Sequence, residues 1–161
     1  NPRFPRGRDT RKIYGFNYRM TEIQGIIGKV QLQKLNFIIK NNKLRYNHLN
    51  KILKKKFEIR KIPKKSTPIF DTFIFFENNL FRRKKILEKI KQNHFGTKNL
   101  PDAIEWHCSA YWTHALTKKQ IKNSIKTKNL LSTAIAIPIN LKKTIKDYIK
   151  LAKSISSTKQ Y

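Results

Sequence analysis

The sequence predicts an α/β or α+β lobe, in which a long helix precedes a small mixed or antiparallel sheet with flanking helices. Apolar residues recur at helical spacing through Ile23, Ile27 and Val30, which indicates a helix with one buried face. Residues 69–77 (IFDTFIFFE) carry the strongest strand pattern in the chain. Helical and strand periods then alternate towards the C-terminus, which is typical of helices packed on a sheet. A chain of 161 residues is long enough to bury such a core.

The first helix is predicted to begin at Thr21, after a basic loop over residues 1–19 that Pro and Gly interrupt. Thr21 and Gln24 have the spacing of a capping box, in which each side chain accepts a hydrogen bond from the other residue's backbone N–H. The apolar period continues to about Lys56, and a break in the helix is expected near residues 41–42.

Gly25 and Gly28 lie on one side of this helix. Glycine costs about 1 kcal/mol in a helix interior relative to alanine, so its presence there needs a compensating reason. The sequence therefore predicts that the backbone of this helix packs closely against a neighbour.

The remaining elements are predicted from the same two periods and from the turn residues between them. They are a short strand over 57–62, a strand over 69–77, a helix over 80–92, an extended segment over 94–104, a loop or short helix over 106–114, a basic helix over 117–131, a strand over 133–137 and a last helix over 141–155.

The net charge of +28 would ordinarily indicate a polyanionic partner, such as nucleic acid or an acidic membrane surface. Lys supplies 28 of the 37 basic residues, however, and the lysines are scattered along predicted helical faces. The longest uninterrupted basic runs are residues 54–56 and 82–85. This pattern favours a solvated surface, while a nucleic-acid footprint and a charged protein interface stay open as alternatives.

Several classes of site have little support in the sequence. Cys108 is the only cysteine, so no disulfide can form within this chain, and a reducing, cytoplasmic setting is predicted. The four histidines and Cys108 lack the spacing of a zinc site, and we assign no metal ligand. Composition allows a Cys108 nucleophile with His107 or His114 as base, but a lone cysteine among aromatics is more often a packing residue. No apolar run is long enough to predict a membrane span.

The most informative segment is a polar loop that enters the capped helix. Asn17, Tyr18 and Arg19 present an amide, a phenol and a guanidinium just before the first turn. These groups, together with the positive end of the helix dipole, suit an anionic ligand such as phosphate. The alternative is that Asn17 and Arg19 only brace the loop, and the chemistry of the residues favours neither interpretation.

This segment, GFNYRMTEIQG over residues 15–25, closely resembles the signature of the DegT/DnrJ/StrS sugar aminotransferases, and the following G-x-x-Q-L-x-K-L pattern over residues 28–35 matches as well. The resemblance covers residues 1–155 and is sharp over 14–35. Residues 99–103, with Trp106 and His107, look like the subgroup that acts on keto-sugar acids such as octulosonates. Four further segments fit the family's order of elements. They are a strand over 70–77, Gly96 with Thr97, Trp106 with His107, and a strand of small and apolar residues with a proline over 134–139.

The resemblance implies the C-terminal part of a fold-type-I pyridoxal-phosphate (PLP) transferase. Residues 1–35 would be the end of the large cofactor domain, with the loop and capped helix at a dimer interface. Residues 36–56 would form an interdomain helix, and residues 57–161 the C-terminal small domain. Met20 is the only methionine, so the chain as given is expected to belong to a longer protein.

The family's activity implies that the longer protein transfers an amino group, from glutamate, to a keto sugar in the synthesis of amino sugars for cell-surface polysaccharide, including lipopolysaccharide. It would be a cytoplasmic homodimer with PLP as cofactor. The Schiff-base lysine would lie before Asn1, so no catalytic residue is assigned and the chain alone is expected to be inactive. By match to the family, Asn17 would reach the cofactor phosphate of the neighbouring subunit, Arg19 would point into the same region, and His107 would face the sugar.

The alternative function is a stand-alone basic module that binds nucleic acid. Such a module needs aromatic side chains interleaved with Lys and Arg on an exposed face. The pattern around Phe73 and Phe75 instead predicts a buried strand. We therefore expect neither a specific nucleic-acid partner nor a membrane partner.

Overall fold

The chain divides into two units, residues 1–34 and 35–161. A computed structural model describes residues 19–159. The described part of the first unit is one helix, α1 (Glu22–Gln33), with the residues that flank it. The second unit begins with helix α2 (Leu35–Leu53) and contains the strands and the remaining helices.

The predicted capping box at the start of α1 is confirmed. Thr21 Oγ1 accepts a hydrogen bond from the backbone N–H of Gln24 at 3.3 Å, and Gln24 Oε1 accepts one from the N–H of Thr21 at 2.9 Å. The helical period pauses at Lys34, whose N–H donates to the carbonyls of Gln31 and Leu32. The predicted long helix is therefore two consecutive helices.

The break expected near residues 41–42 is wrong, because both asparagines lie inside α2. Asn41 Nδ2 donates to the carbonyl of Phe37 at 2.9 Å, one turn earlier. Asn42 Nδ2 donates to the carbonyl of Ile69 at 3.3 Å. Asparagine disfavours helices when its side chain competes for local backbone groups, and here the Asn42 side chain is used in a tertiary contact instead.

Within residues 19–159 the second unit contains one antiparallel sheet of three strands, in the order β1-β2-β3. Phe73 on the central strand lies opposite Ile137, and Phe75 lies opposite Ile135. The central strand is shorter than the pattern over 69–77 because Phe70 has φ 54°, in the left-handed region. The strands are β1 (Glu58–Ile59), β2 (Thr72–Phe76) and β3 (Ala134–Pro138).

The helix predicted over 80–92 is confirmed at both ends, and two other helices differ from expectation. The helix expected over 117–131 is interrupted at Ser124, which caps the first half. The last helix begins after Thr144, because Thr144 and Asp147 form a capping box there. The helices after β2 are α3 (Leu80–Gln92), α4 (Ile104–His107), a 3₁₀ turn (Ser109–Tyr111), α5 (Lys118–Asn123), α6 (Ile125–Thr133) and α7 (Ile145–Ser156).

The main core lies on one face of the sheet, under α2, α3 and α7. Side chains alternate along β2, so Phe73 and Phe75 are buried on this face while Ile74 faces the other side. The second face carries a smaller apolar cluster around Leu100 and Ala136. The fully buried residues of the main core include Leu49, Leu53, Phe73, Phe75, Ile86, Ile135, Ile137, Tyr148, Leu151 and Ile155.

The outer edge of β3 is paired with the extended segment that follows α3. The N–H of Lys98 donates to the carbonyl of Ala136 at 2.8 Å, and the N–H of Ala136 donates to the carbonyl of Leu100 at 3.1 Å. The extended segment predicted over 94–104 is therefore confirmed for residues 98–100. This pairing holds the chain that leads into α4 and His107 against the sheet.

A buried ion pair joins the end of β2 to the start of α3. Arg82 Nη1 lies 3.0 Å from Glu77 Oε2, and the two side chains are only 5% and 8% exposed. Glu77 Oε1 also accepts the N–H of Asn79, whose own side chain caps α3. The Arg82 guanidinium lies 4.5 Å above the ring of Phe57. The pair therefore fixes the turn between the sheet and the helix.

We expect Glu77→Gln to lower the free energy of unfolding by about 3 kcal/mol, because it leaves the Arg82 charge buried without a counter-charge. The measurement is chemical denaturation at neutral pH. Glu88→Gln, on the exposed side of the same helix, is the matched control and should change stability by less than about 0.5 kcal/mol. Equal effects of the two substitutions would contradict a structural role for the buried pair.

Candidate functional site

The first candidate region is the start of α1, where two cofactor-binding residues were predicted. Arg19 is exposed and lies two residues before the cap Thr21. Asn17 lies outside the described residues, so its predicted role stays a prediction. The structure thus describes one of the two predicted phosphate ligands, and its side chain is exposed.

Two backbone N–H groups at the start of α1 have no hydrogen-bond acceptor among the described residues. A helix leaves its first N–H groups without intrahelical partners, and the capping box satisfies those of Thr21 and Gln24. The N–H groups of Glu22 and Ile23 have no acceptor within residues 19–159. These donors and the Arg19 guanidinium fit one phosphate group, as PLP carries, although the Glu22 carboxylate in the first turn works against an anion.

The apolar side of α1 is open. The apolar side chains of Ile23, Ile26 and Ile27 on this helix are all more than half exposed. A Cβ added at Gly28 would meet no described atom within 4 Å, and one added at Gly25 would meet only the end of the Met20 side chain. The close packing predicted for the two glycines is therefore not made by the described residues of the first unit, 19–34.

The second candidate region is a cleft on the other face of the sheet from the main core. His107, the predicted substrate residue, is exposed at the end of α4 and lines this cleft of about 240 Å³. Polar side chains from three separate segments surround it, and they include a guanidinium, an ion pair and an amide. The remaining lining residues are Arg60, Asp71, Thr72, Ile74, Lys98, Asn99, Leu100 and Leu131.

An ion pair between Asp71 and Lys98 forms one wall of the cleft. Thr72 Oγ1 also donates to the Asp71 carboxylate at 3.2 Å. Burial raises the pKa of the Asp71 carboxyl, but the hydrogen bond and charge of Lys98 and the hydrogen bond of Thr72 outweigh it and hold the pKa below its ordinary value. Asp71 is therefore ionised at neutral pH and compensates the charge of Lys98, whereas Arg60 has no carboxylate partner among the described residues.

The composition of this cleft suits binding more than bond-breaking. Imidazole, guanidinium and amide groups can hydrogen-bond hydroxyls or an anionic group of a ligand. The sequence singled out His107, whose substrate role stays a prediction, and gave no signal for Arg60, Asp71 and Lys98 in the same cleft. No local spacing links those three residues, because the fold brings them together from positions 11 and 27 residues apart.

Other site types find no support in the part of the chain that the structure describes. Cys108 is 1% exposed, so its thiol is covered and has the surroundings of a packing residue. No group of three His, Cys, Asp or Glu residues within 19–159 is placed to hold a metal ion. None of the helices in the same range is long and apolar enough to cross a membrane.

Comparison with known proteins identifies the family to which the two regions belong. The model of the DegT/DnrJ/EryC1/StrS aminotransferase family matches residues 4–156, nearly the whole chain. The chain belongs to this family. No curated protein matches it significantly.

Two solved structures share the fold of this DegT-family chain over part of their length. Spr1654 of Streptococcus pneumoniae, described as a sugar aminotransferase in its PMP form, matches with a TM-score of 0.62 at 14% identity, over 84% of this chain and 36% of that one. The aminotransferase TlmJ of Streptoalloteichus hindustanus matches with a TM-score of 0.60 at 12% identity, over 84% and 35%. The chain therefore spans about a third of the length of these relatives.

The predicted fold is confirmed by this likeness. Helices followed by a small antiparallel sheet with flanking helices match part of a PLP-dependent aminotransferase fold. Of the two sheet types expected, mixed or antiparallel, the structure shows the antiparallel one.

We expect the Asp71–Lys98 pair to stabilise the family's small sheet in a pH-dependent way. The folded pKa of Asp71 is depressed, so its contribution is present above the unfolded pKa of about 3.9 and is lost as pH falls through the folded pKa. Because both side chains are 41% exposed, solvent screening limits the contribution to at most about 1 kcal/mol.

The measurement is the free energy of unfolding of the original chain and of Asp71→Asn between neutral pH and about pH 2. The difference should be present at neutral pH and vanish at the acid end. Glu105→Gln, at an exposed carboxylate without an ion-pair partner in residues 19–159, is the control and should show no such trend. A difference for Asp71→Asn that is constant with pH would exclude the ion pair as its cause.

Proposed function

We propose that this chain is the C-terminal part of a PLP-dependent aminotransferase that transfers an amino group from glutamate to a keto sugar. Its product would enter the synthesis of amino sugars for cell-surface polysaccharide such as lipopolysaccharide, in the cytoplasm. The observation that carries the proposal is the family match over residues 4–156. PLP supplies the electron sink for the transfer when bound. The residues of this chain would contribute binding and orientation.

The two units suggest how the chain is divided in the longer protein. We assign residues 1–35 to the end of the large cofactor domain at a homodimer interface, 36–56 to an interdomain helix and 57–161 to the small domain. The exposed apolar side of α1 supports this assignment, because a contiguous apolar surface of this kind is usually covered by protein.

Asn17 and Arg19 would hold the cofactor phosphate. Asn17 carries this role through its match to the family signature, and the phosphate it reaches would belong to the neighbouring subunit. Arg19 is supported by its exposed position before α1, beside two N–H groups that lack acceptors among the described residues. Charge-assisted hydrogen bonds of this type are stronger than neutral ones.

His107 would face the sugar, and the cleft around it supports this role. Its imidazole is exposed beside Arg60 and Asn99, so three different polar groups can converge on one ligand. A stand-alone nucleic-acid module has less support, because Phe73 and Phe75 are fully buried and no feature of residues 19–159 other than their charge favours it.

The chain by itself should not form the covalent cofactor linkage, because the Schiff-base lysine would precede Asn1. None of the lysines within residues 19–159 is buried, whereas a lysine that holds PLP has to sit in an enclosed pocket. We expect borohydride treatment with PLP to give only scattered, substoichiometric labelling by mass spectrometry, and no amino transfer from glutamate. A complete family member is the positive control. One adduct per chain at a defined lysine, with turnover, would contradict the assignment.

The proposal itself is tested in the longer parent by Asn17→Ala. Loss of a hydrogen bond to a charged phosphate should cost about 1.5–3 kcal/mol, which is roughly a ten- to hundredfold rise in the dissociation constant of PLP. Because the contact would come from the opposite subunit, PLP should also stabilise the mutant dimer less. The measurements are cofactor affinity and melting temperature with and without PLP.

Asn47→Ala is the control, since Asn47 is an exposed asparagine of α2 away from the signature. It should leave cofactor affinity unchanged. If Asn17→Ala lowers the melting temperature equally with and without PLP and binds the cofactor normally, Asn17 is a loop brace and the match to the family fails at this residue.

A further inference from the structure

A basic groove lies between α2 and α7, and none of its lining residues belongs to the cleft around His107. The two helices run side by side in the same direction. Arg45 Nε donates to the carbonyl of Lys143 at 3.0 Å, just before α7 begins, and Lys56 Nζ donates to the carbonyl of Ser156 at 2.8 Å, where α7 ends. The groove has a volume of about 420 Å³. It is lined by His48, Lys51, Ile52, Lys55, Lys56, Ile149 and Ser156.

The positive charge of this groove is not compensated within residues 19–159. Helix α2 contains no acidic residue, and the one carboxylate of α7, on Asp147, accepts the N–H and hydroxyl of Thr144 at the start of that helix. None of the lining lysines has a carboxylate within ion-pair distance among the described residues. Because like charges four residues apart at a helix end repel each other, Lys51 and Lys55 create a positive potential that an anionic group would relieve.

The two longest basic runs of the sequence are used differently in the fold. Within residues 82–85, Arg82 forms the buried ion pair with the carboxylate that follows β2, and Arg83 Nη2 donates to a backbone carbonyl of β3 at 2.7 Å. Residues 54–56 are all exposed, and among them only Lys56 has its ammonium group on a described acceptor. The run at the end of α2 is therefore available to a partner of opposite charge.

The floor of the groove is apolar, and this restricts the kind of partner. Ile52 of α2 and Ile149 of α7 are half-buried and both line the groove. An apolar floor with a basic rim is complementary to an amphipathic helix that carries carboxylates beside its apolar stripe. Single-stranded nucleic acid fits less well, because the groove has no aromatic ring on which a base could stack. A second copy of this chain, with 37 basic and 9 acidic residues, would be repelled.

We propose that the α2–α7 groove docks an acidic amphipathic helix of a partner protein. Apolar side chains of that helix would cover Ile52 and Ile149, and its carboxylates would contact Lys51 and Lys55. The proposal goes beyond the proposed function and does not depend on it, since it assigns an interaction surface whatever reaction the longer protein catalyses.

The test uses a synthetic helical peptide with leucine at positions i, i+3, i+4 and i+7 and glutamate on both flanks of that stripe. The peptide carries a fluorescent label, and its anisotropy is measured as the 161-residue chain is added at an ionic strength of about 0.15 M. We expect saturable binding with a dissociation constant in the micromolar range. A peptide of the same composition, shuffled out of the helical period, should bind about tenfold more weakly because it presents no apolar stripe.

Charge reversal at the rim separates this groove from the charge of the whole chain. Lys51→Glu combined with Lys55→Glu should weaken binding of the amphipathic peptide about tenfold or more. Lys118→Glu with Lys122→Glu is the matched control, because these exposed lysines are also four residues apart, on α5, and the net charge changes equally. The control should weaken binding less than about twofold. Ile149→Ala removes part of the floor and should weaken binding about threefold. Circular dichroism verifies that each variant is folded.

Three results would overturn the inference. An equal loss of affinity in the two charge-reversal variants would mean that the peptide responds only to bulk charge. Equal affinity for the amphipathic and shuffled peptides would exclude docking on the apolar floor. Absence of peptide binding, together with binding of single-stranded oligothymidylate or of phosphatidylserine vesicles that Lys51→Glu with Lys55→Glu abolishes, would assign the groove to nucleic acid or to a membrane surface instead.

Discussion

The register of β2 is the constraint on which the rest of the second unit depends. Successive side chains of a strand point to opposite faces, so Phe73 and Phe75 enter the main core only while Thr72 and Ile74 face the cleft that contains His107. A slip of one residue against β3 would exchange the two sets and expose both phenylalanines. The same pairing therefore determines the packing of three helices and the lining of the candidate cleft.

Local signals predicted the elements whose patterns are strong, and tertiary contacts decided the rest. The helix over 80–92 could be predicted because Asn79 caps it and its apolar period is regular. The left-handed Phe70 had no such signal, since phenylalanine seldom adopts that conformation. Among the residues that line the cleft, His107 was predicted through a family motif, whereas Arg60 and Lys98 become neighbours only once the sheet has formed.

The high positive charge of the chain lies on exposed lysines and is not concentrated in the candidate cleft. No lysine in residues 19–159 is buried, and several are occupied by local partners: Lys98 pairs with Asp71, and Lys128 lies over Tyr111. The cleft around His107, where Asp71 lies beside Lys98, is thus less basic than the chain as a whole. The net charge of the chain is therefore a poor guide to the chemistry of this cleft.

The short first strand has a consequence for how copies of this chain can associate. One edge of the sheet is covered by the backbone of residues 98–100, and the other is β1, only two residues long and followed by Lys61, Pro63 and Lys64. An edge of this kind offers few free backbone groups, and lysine and proline beside it oppose the docking of a further strand. Fibrous growth through continuous sheets is therefore disfavoured, and self-association is left to helical surfaces, whose contacts can close into finite assemblies.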